Sequence, residues 1–103
     1  MNKYNIYLGL LDKDTEKQEH DIQFFYNGIN KILCKYNITG YTIFNTTGYY
    51  KGDNTIVVEP SLNIEIITNG ILLFQKLNSI KFNLCKKFNQ ESVLITKQEI
   101  QVL

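Results

Sequence analysis

The sequence predicts an α+β fold, a ferredoxin-like β-α-β-β-α-β sandwich, and three observations predict it. Two stretches of helical periodicity and similar length, one around Ile29 and one around Ile80, are each preceded and followed by alternating strand patterns. Between them, Thr39 to Thr68 reads as a strand, a polar turn and a longer returning strand. With 103 residues and 44% apolar content the chain has material for one modest core, so it is expected to be a single domain over 1–103. In this fold one antiparallel sheet is covered on one face by both helices, and its other face is open.

The first strand is expected over Tyr4 to Leu11. Tyr4, Ile6, Leu8 and Leu10 fall on one face, opposite Asn5, Tyr7 and Gly9. Gly9 within this pattern marks a bulge or a close approach of another group to the backbone. Asp12 to His20 is a solvated connection in which Asp14 and Thr15 are candidate helix caps. The first helix then runs from about Glu19 to Tyr36. Its stripe is Ile22, Phe25, Tyr26, Ile29, Ile32, Leu33 and Tyr36, with Gly28 inside it to let the helix lie close to the sheet. Asn37 and Gly40 are the left-handed candidates at its end.

The second strand is expected over Tyr41 to Asn45, with a polar turn from Thr46 to Asn54. Thr55 to Glu59 resumes as a strand, Pro60 interrupts it because proline has no ladder donor, and Leu62 to Ile66 continue it. Asn69 is expected to cap the second helix, whose stripe is Leu73, Phe74, Leu77, Ile80, Leu84 and Phe88. Phe88-Asn89-Gln90 ends it, and the last strand is expected over Val93 to Leu103. The sheet face opposite the helices carries Tyr7 and Phe44, more large groups than an exposed face usually tolerates, and a homo-oligomer through that face is expected.

Composition narrows the function classes. The net charge is +1 and all 11 basic residues are lysine, which argues against nucleic-acid and membrane partners and removes the bidentate guanidinium grip. Lysines and backbone amides can still hold a phosphate, so a small-molecule or nucleotide ligand passes this test. One histidine, His20, and two cysteines, Cys34 and Cys85, make neither a zinc site nor a Cys-His nucleophile, and no metal or cofactor is expected. Both cysteines are read as reduced, part-buried helix residues, and a cytoplasmic location is expected, since no run approaches membrane-spanning length.

Three clusters are candidates for a ligand site. Thr47, Gly48, Tyr49, Tyr50 and Lys51 combine hydroxyls, approachable amides, aromatic faces and a cation in the expected turn. Glu59 and Ser61 flank the expected strand break at Pro60. Gln90, Glu91 and Ser92 form a polar junction between the second helix and the last strand. Glu59 and Glu91 are also the candidate acid/base pair of an enzyme, although nothing in the sequence shows that they meet.

Taken in order, Tyr7-Leu8-Gly9-Leu10, Gly48-Tyr49-Tyr50, Ile56-Val57-Val58-Glu59-Pro60-Ser61 and Phe88-Asn89-Gln90-Glu91-Ser92-Val93-Leu94 resemble a family of small bacterial and phage proteins catalogued as a domain of unknown function. The resemblance spans nearly the whole chain. It implies the same fold and raises Gly9, Gly48, Tyr49, Glu59, Gln90, Glu91 and Ser92 among the candidates, while Tyr49-Tyr50-Lys51 stands where a Trp and an Arg are common. The function expected is non-catalytic binding of a small polar or nucleotide-like ligand, of the kind a phage would use to sequester a host signal. The alternatives are an interaction module that blocks a host protein through its sheet or tyrosine hairpin, and a small acid/base enzyme.

Overall fold

In a computed structural model, which describes residues 1–51 and 53–103 with Tyr50 described by its backbone alone, the element order is β1 (Asn2–Gly9), α1 (Ile22–Lys35), β2 (Thr42–Lys51), β3 (Ile56–Thr68), α2 (Phe74–Lys87) and β4 (Leu94–Glu99). The four strands form one sheet in the order β2-β3-β1-β4, with every neighbouring pair antiparallel. This is the ferredoxin-like α+β arrangement. Tyr4, Ile6 and Leu8 of β1 and Leu62, Ile64 and Ile66 of β3 are buried under Phe25, Ile29 and Leu33 of α1 and Ile80 and Leu84 of α2. Alternation on the strands and the 3.6-residue period on the helices therefore meet in one core.

The hairpin differs most from expectation. β2 continues through Thr46 to Lys51 and β3 runs unbroken through Pro60, so the expected polar turn from Thr46 is mostly strand. Hydrogen-bond direction explains why proline is tolerated. Leu10 N donates to Pro60 O at 3.0 Å, so the polar groups of Pro60 face β1 rather than β2. Its missing N–H falls where the β1 ladder is ending and removes no bond to β2. Beyond that point the two strands go on without β1 as a two-stranded arm.

The helix starts also move. Asp21, not Asp14 or Thr15, caps α1, accepting from Phe24 N at 2.9 Å. The Asp14 and Thr15 amides instead donate to Asp12 Oδ1 at 2.8 and 3.1 Å. Asn69 does not cap α2, because the segment before it is held extended. Gly70 O accepts from Asn2 Nδ2 at 3.0 Å, and Leu72 N donates to the buried Tyr4 hydroxyl at 2.9 Å. The helix begins four residues later than Gly70, leaving Leu73 and Phe74 exposed instead of in the stripe. At the helix ends Asn37 and Asn89 take positive φ, 62° and 49°, whereas Gly40 does not.

Gly28 faces the other helix rather than the sheet. A β-carbon there would lie 2.7 Å from Phe88 Cζ, and Phe88 in turn stacks on Phe25 with ring centroids 4.7 Å apart. β4 is shorter than expected and ends at Glu99, with one further bond from Ile100 N to Met1 O. Cys34 is exposed rather than part-buried, Cys85 is half-buried, and both are free. Among the described residues no helix is long and apolar enough to cross a membrane.

Candidate functional site

Where β1 stops and the arm continues, the sheet leaves a cleft of about 640 Å³. Its wall is built by the end of β1 (Gly9, Leu11), the connection that follows (Asp12, Lys13, Glu16), the base of the arm (Val57, Val58, Glu59) and the junction between α2 and β4 (Gln90, Glu91, Ser92). Four carboxylates and one lysine thus face a single space, which makes it a cation-favouring environment.

Glu59 reaches this cleft by crossing the end of β1. Alternation along β3 puts Glu59 on the sheet's open face with Ser61 and Asn63, and Ser61 is in register with Gly9. A β-carbon on Gly9 would occupy the place of the Glu59 carboxyl group, lying 2.8 Å from its Cδ. The same position is 3.1 Å from Gln90 Oε1. Gly9 is therefore the close approach that the strand pattern announced. Glu59 Oε1 accepts one long bond, 3.4 Å, from Leu11 N.

Gln90 is buried, and its amide is oriented by two carbonyl oxygens. Nε2 donates to Leu11 O at 2.7 Å and to Phe88 O at 3.2 Å, leaving Oε1 over Gly9. Its neighbour Asn89 ties down the connection after β1. Asn89 Nδ2 donates to Asp12 Oδ2 at 3.0 Å and Asp14 Oδ2 at 2.8 Å, and Lys13 N donates to Asn89 O at 3.0 Å. The Asn89 amide, with the Asp14 amide next in weight, holds the Asp12 carboxyl below the usual aspartate range.

Of the residues predicted from sequence, the cleft brings together Gly9, Glu59, Gln90, Glu91 and Ser92. Glu59 and Glu91 line one space, although they stand 32 positions apart in the chain and nothing in their spacing reveals it. Thr47, Gly48, Tyr49, Lys51 and Ser61 lie outside the lining. Thr47 and Tyr49 pair with Pro60 and Val58, which places them on the opposite face of the arm from Glu59. Tyr49 is exposed, as are Thr47 and Lys51. Ser61 is hydrogen-bonded to Thr46, with the hydroxyls 2.8 Å apart, and Gly48 pairs with Glu59. The Tyr50 side chain lies outside the described residues, and its backbone pairs with Val57. Sequence reasoning missed Leu11, Asp12, Lys13, Glu16, Val57 and Val58. The signal available was Asp12 just past a strand end, two and three residues before the amides it accepts. No group of three or more His, Cys, Asp or Glu placed to hold a metal occurs among the described residues.

Fold and site together define a small ferredoxin-like α+β protein with an acidic cleft at the end of its first strand. No family model matches the chain, and no curated protein matches it significantly. Among solved structures it is similar to a phage SAM lyase in complex with S-methyl-5'-thioadenosine, at 24% identity and TM-score 0.73, over 95% of this chain and 80% of that one. The same kind of phage enzyme in its apo state is similar at 25% identity and TM-score 0.71, over 94% of this chain and 78% of that one. The periplasmic divalent cation tolerance protein CutA from Archaeoglobus fulgidus shares the fold at 10% identity and TM-score 0.64, over 99% of this chain and 86% of that one. A B. subtilis GlnK-ATP complex does so at 13% identity and TM-score 0.53, over 95% and 84%.

Proposed function

We propose that the chain binds S-adenosylmethionine (SAM) in the acidic cleft and cleaves it to S-methyl-5'-thioadenosine, as a phage-type protein acting on a small host metabolite in the host cytoplasm. The observation that carries the reading is the charge of the lining, Asp12, Glu16, Glu59 and Glu91 against Lys13 alone. SAM has a sulfonium, an ammonium and one carboxylate, so its net charge is positive and suits such a space. The likeness to a phage SAM lyase at 25% identity over 94% of the chain supports the same ligand. The resemblance of the Gly9, Glu59 and Gln90-Glu91-Ser92 segments to small phage and bacterial proteins fits the phage-type part of the reading and does not bear on the ligand.

Release of S-methyl-5'-thioadenosine requires the bond between sulfur and Cγ of the methionine moiety to break, with its electron pair going to sulfur. The route that asks least of the protein lets the substrate's own carboxylate oxygen attack Cγ, which closes a five-membered lactone and moves no proton. The sulfonium charge disappears in that step. Carboxylates around it therefore hold substrate more tightly than transition state, and they contribute to binding rather than to rate. Acceleration comes from holding the substrate carboxylate in line with the breaking bond. Lys13, the one cation among the described lining residues, fits that carboxylate. The neutral thioether product loses the attraction that held the sulfonium.

Incubating the purified chain with SAM and following S-methyl-5'-thioadenosine by liquid chromatography tests this directly. Product formed with a lactone partner supports the lyase reading. Saturable SAM binding without product returns the function to sequestration. Neither binding nor product removes the proposal.

A second reading concerns assembly. Tyr7, Phe44, Ile67 and Leu94 are exposed on the sheet face away from the helices. A second copy of the chain is proposed as the cover for this apolar face. The subunit count by native mass spectrometry tests it.

A further inference from the structure

The pair of oxygens above Gly9 has a more specific use. Gln90 is 8% exposed, and both hydrogen-bonding directions of its Nε2 are taken by Leu11 O and Phe88 O. Only an amide nitrogen can donate to two carbonyls, so Oε1 must be the atom turned toward Gly9. It accepts no hydrogen bond among the described residues. The Glu59 carboxyl group shares that place, since both groups lie within about 3 Å of one point, Gln90 Oε1 at 3.1 Å and Glu59 Cδ at 2.8 Å. Glu59 receives only the 3.4 Å bond from Leu11 N. Two acceptors, one of them anionic, are thus held side by side at the cleft wall without a strong donor between them.

Acceptors in this arrangement are complementary to a group with several N–H donors and positive charge. A hydroxyl has one donor and would leave one acceptor unserved. A phosphate or carboxylate would be repelled. We propose that Glu59 and Gln90 form a subsite for a primary ammonium group, the α-ammonium of the ligand's amino-acid moiety. Gly9 keeps the two oxygens close by having no side chain between them. The assignment rests on the reading of the cleft as a site for an adenosyl amino acid. It adds a rule of selectivity: ligands that retain the amine are held, and a thioether that has lost the amino-acid moiety is not.

Calorimetric titration of the whole chain with three adenosine thioethers tests the subsite. S-adenosyl-L-homocysteine has the amine, 5'-S-(3-carboxypropyl)-5'-thioadenosine is the same molecule without it, and S-methyl-5'-thioadenosine lacks the whole moiety. The wild-type chain should bind the first about 10- to 100-fold more tightly than the second, the range of charge-assisted hydrogen bonds. Glu59→Gln should close most of that gap. Glu91→Gln removes the same charge from an exposed position of the cleft and should leave the gap in place. Equal affinities for the first two ligands, with S-methyl-5'-thioadenosine still bound, overturn the subsite and leave the cleft reading standing. A gap that survives Glu59→Gln, or that Glu91→Gln closes equally, also overturns it, because a diffuse field and not this pair would be responsible. Failure of all three ligands to bind removes the subsite together with the cleft reading.

Discussion

The Glu59 carboxyl group lies where a β-carbon at Gly9 would be, with Glu59 Cδ 2.8 Å from that position. Two strands are locked together here by the absence of a side chain on one and the bend of a side chain from the other. The contact also sets how far Glu59 reaches into the cleft.

Gly9→Ala should therefore separate stability from binding. The clashing group is the far end of a flexible side chain, which can swing away, and the alanine stiffens the unfolded chain. Thermal unfolding should change by no more than about 1 kcal/mol. SAM affinity or turnover should fall at least about tenfold, the effect of misplacing one charged contact. A variant that melts much earlier while binding normally would contradict this account.

Asn89→Gly isolates the clasp between the connection after β1 and the end of α2. Asn89 has a φ of 49°, so glycine keeps the backbone comfortable while removing the donor to Asp12 and Asp14. The Asp12 carboxyl should then titrate closer to the usual aspartate range, since the Asn89 amide is the largest influence lowering it. The sign follows from linkage. A carboxylate held below its unfolded value stabilises the fold above that value, and the contribution is lost as pH falls through the depressed one. Wild-type protein should loosen in the Asp12–His20 connection on acidification, and Asn89→Gly should be loose there at neutral pH. Carboxyl NMR titration and amide exchange of Asp14 and Thr15 measure both.

Gly28 and Phe88 make a stability prediction away from the cleft. A methyl group at residue 28 would meet the Phe88 ring, 2.7 Å from Cζ, and that ring is stacked on Phe25 and cannot move freely. Gly28→Ala should destabilise by about 1–3 kcal/mol despite alanine's higher helix propensity. Phe25→Ala, which empties the other side of the same stack, should cost about 3–5 kcal/mol. Chemical denaturation at neutral pH gives both values.

Asp21→Ala should cost about 1 kcal/mol, while Asp14→Ala should leave α1 intact, because Asp21 supplies the capping oxygen at 2.9 Å from Phe24 N. Helix exchange protection for the first turn distinguishes the two variants.

These two aspartates show what was legible in the sequence. Periodicity placed both helices and the first three strands, since Tyr4, Ile6, Leu8 and Ile29, Leu33 repeat with the periods that burial imposes, whereas β4 has no buried residue to mark it. Element ends were less legible because distant partners decide them. The Tyr4 hydroxyl holds Leu72 N and delays α2, and nothing near Asn69 announces that bond. Pro60 reads as a strand break until the neighbouring strand is known to end beside it. The cleft shows the same division. Gly9, Glu59 and Gln90 stand out as residues, but their meeting depends on register across three segments, and Lys13 and Glu16 enter the lining only because Asn89 folds their loop against α2.

The open sheet face gives the last prediction. Asn63 pairs with Tyr7 on one side and Phe44 on the other, and its Oδ1 is fully shielded from solvent without a hydrogen bond, unlike Gln90 Oε1, which is turned to the cleft. Tyr7 and Phe44 beside it are 41% and 45% exposed. Two large aromatic groups left in water and an acceptor shielded by its neighbours are both relieved if another surface closes over the row, by burying apolar area and supplying a donor. A second copy of this chain would do so with the same face. Phe44→Lys introduces a charge into the row at a position that is already solvent-exposed, so the monomer fold should keep its circular dichroism spectrum. The proposed homo-oligomer should then not form, with native mass spectra at the single-chain mass where the wild type gives a multiple of it. Should wild type and Phe44→Lys both run as monomers, the aromatic row is left to the interaction-module reading, and a host protein rather than a second copy must account for it.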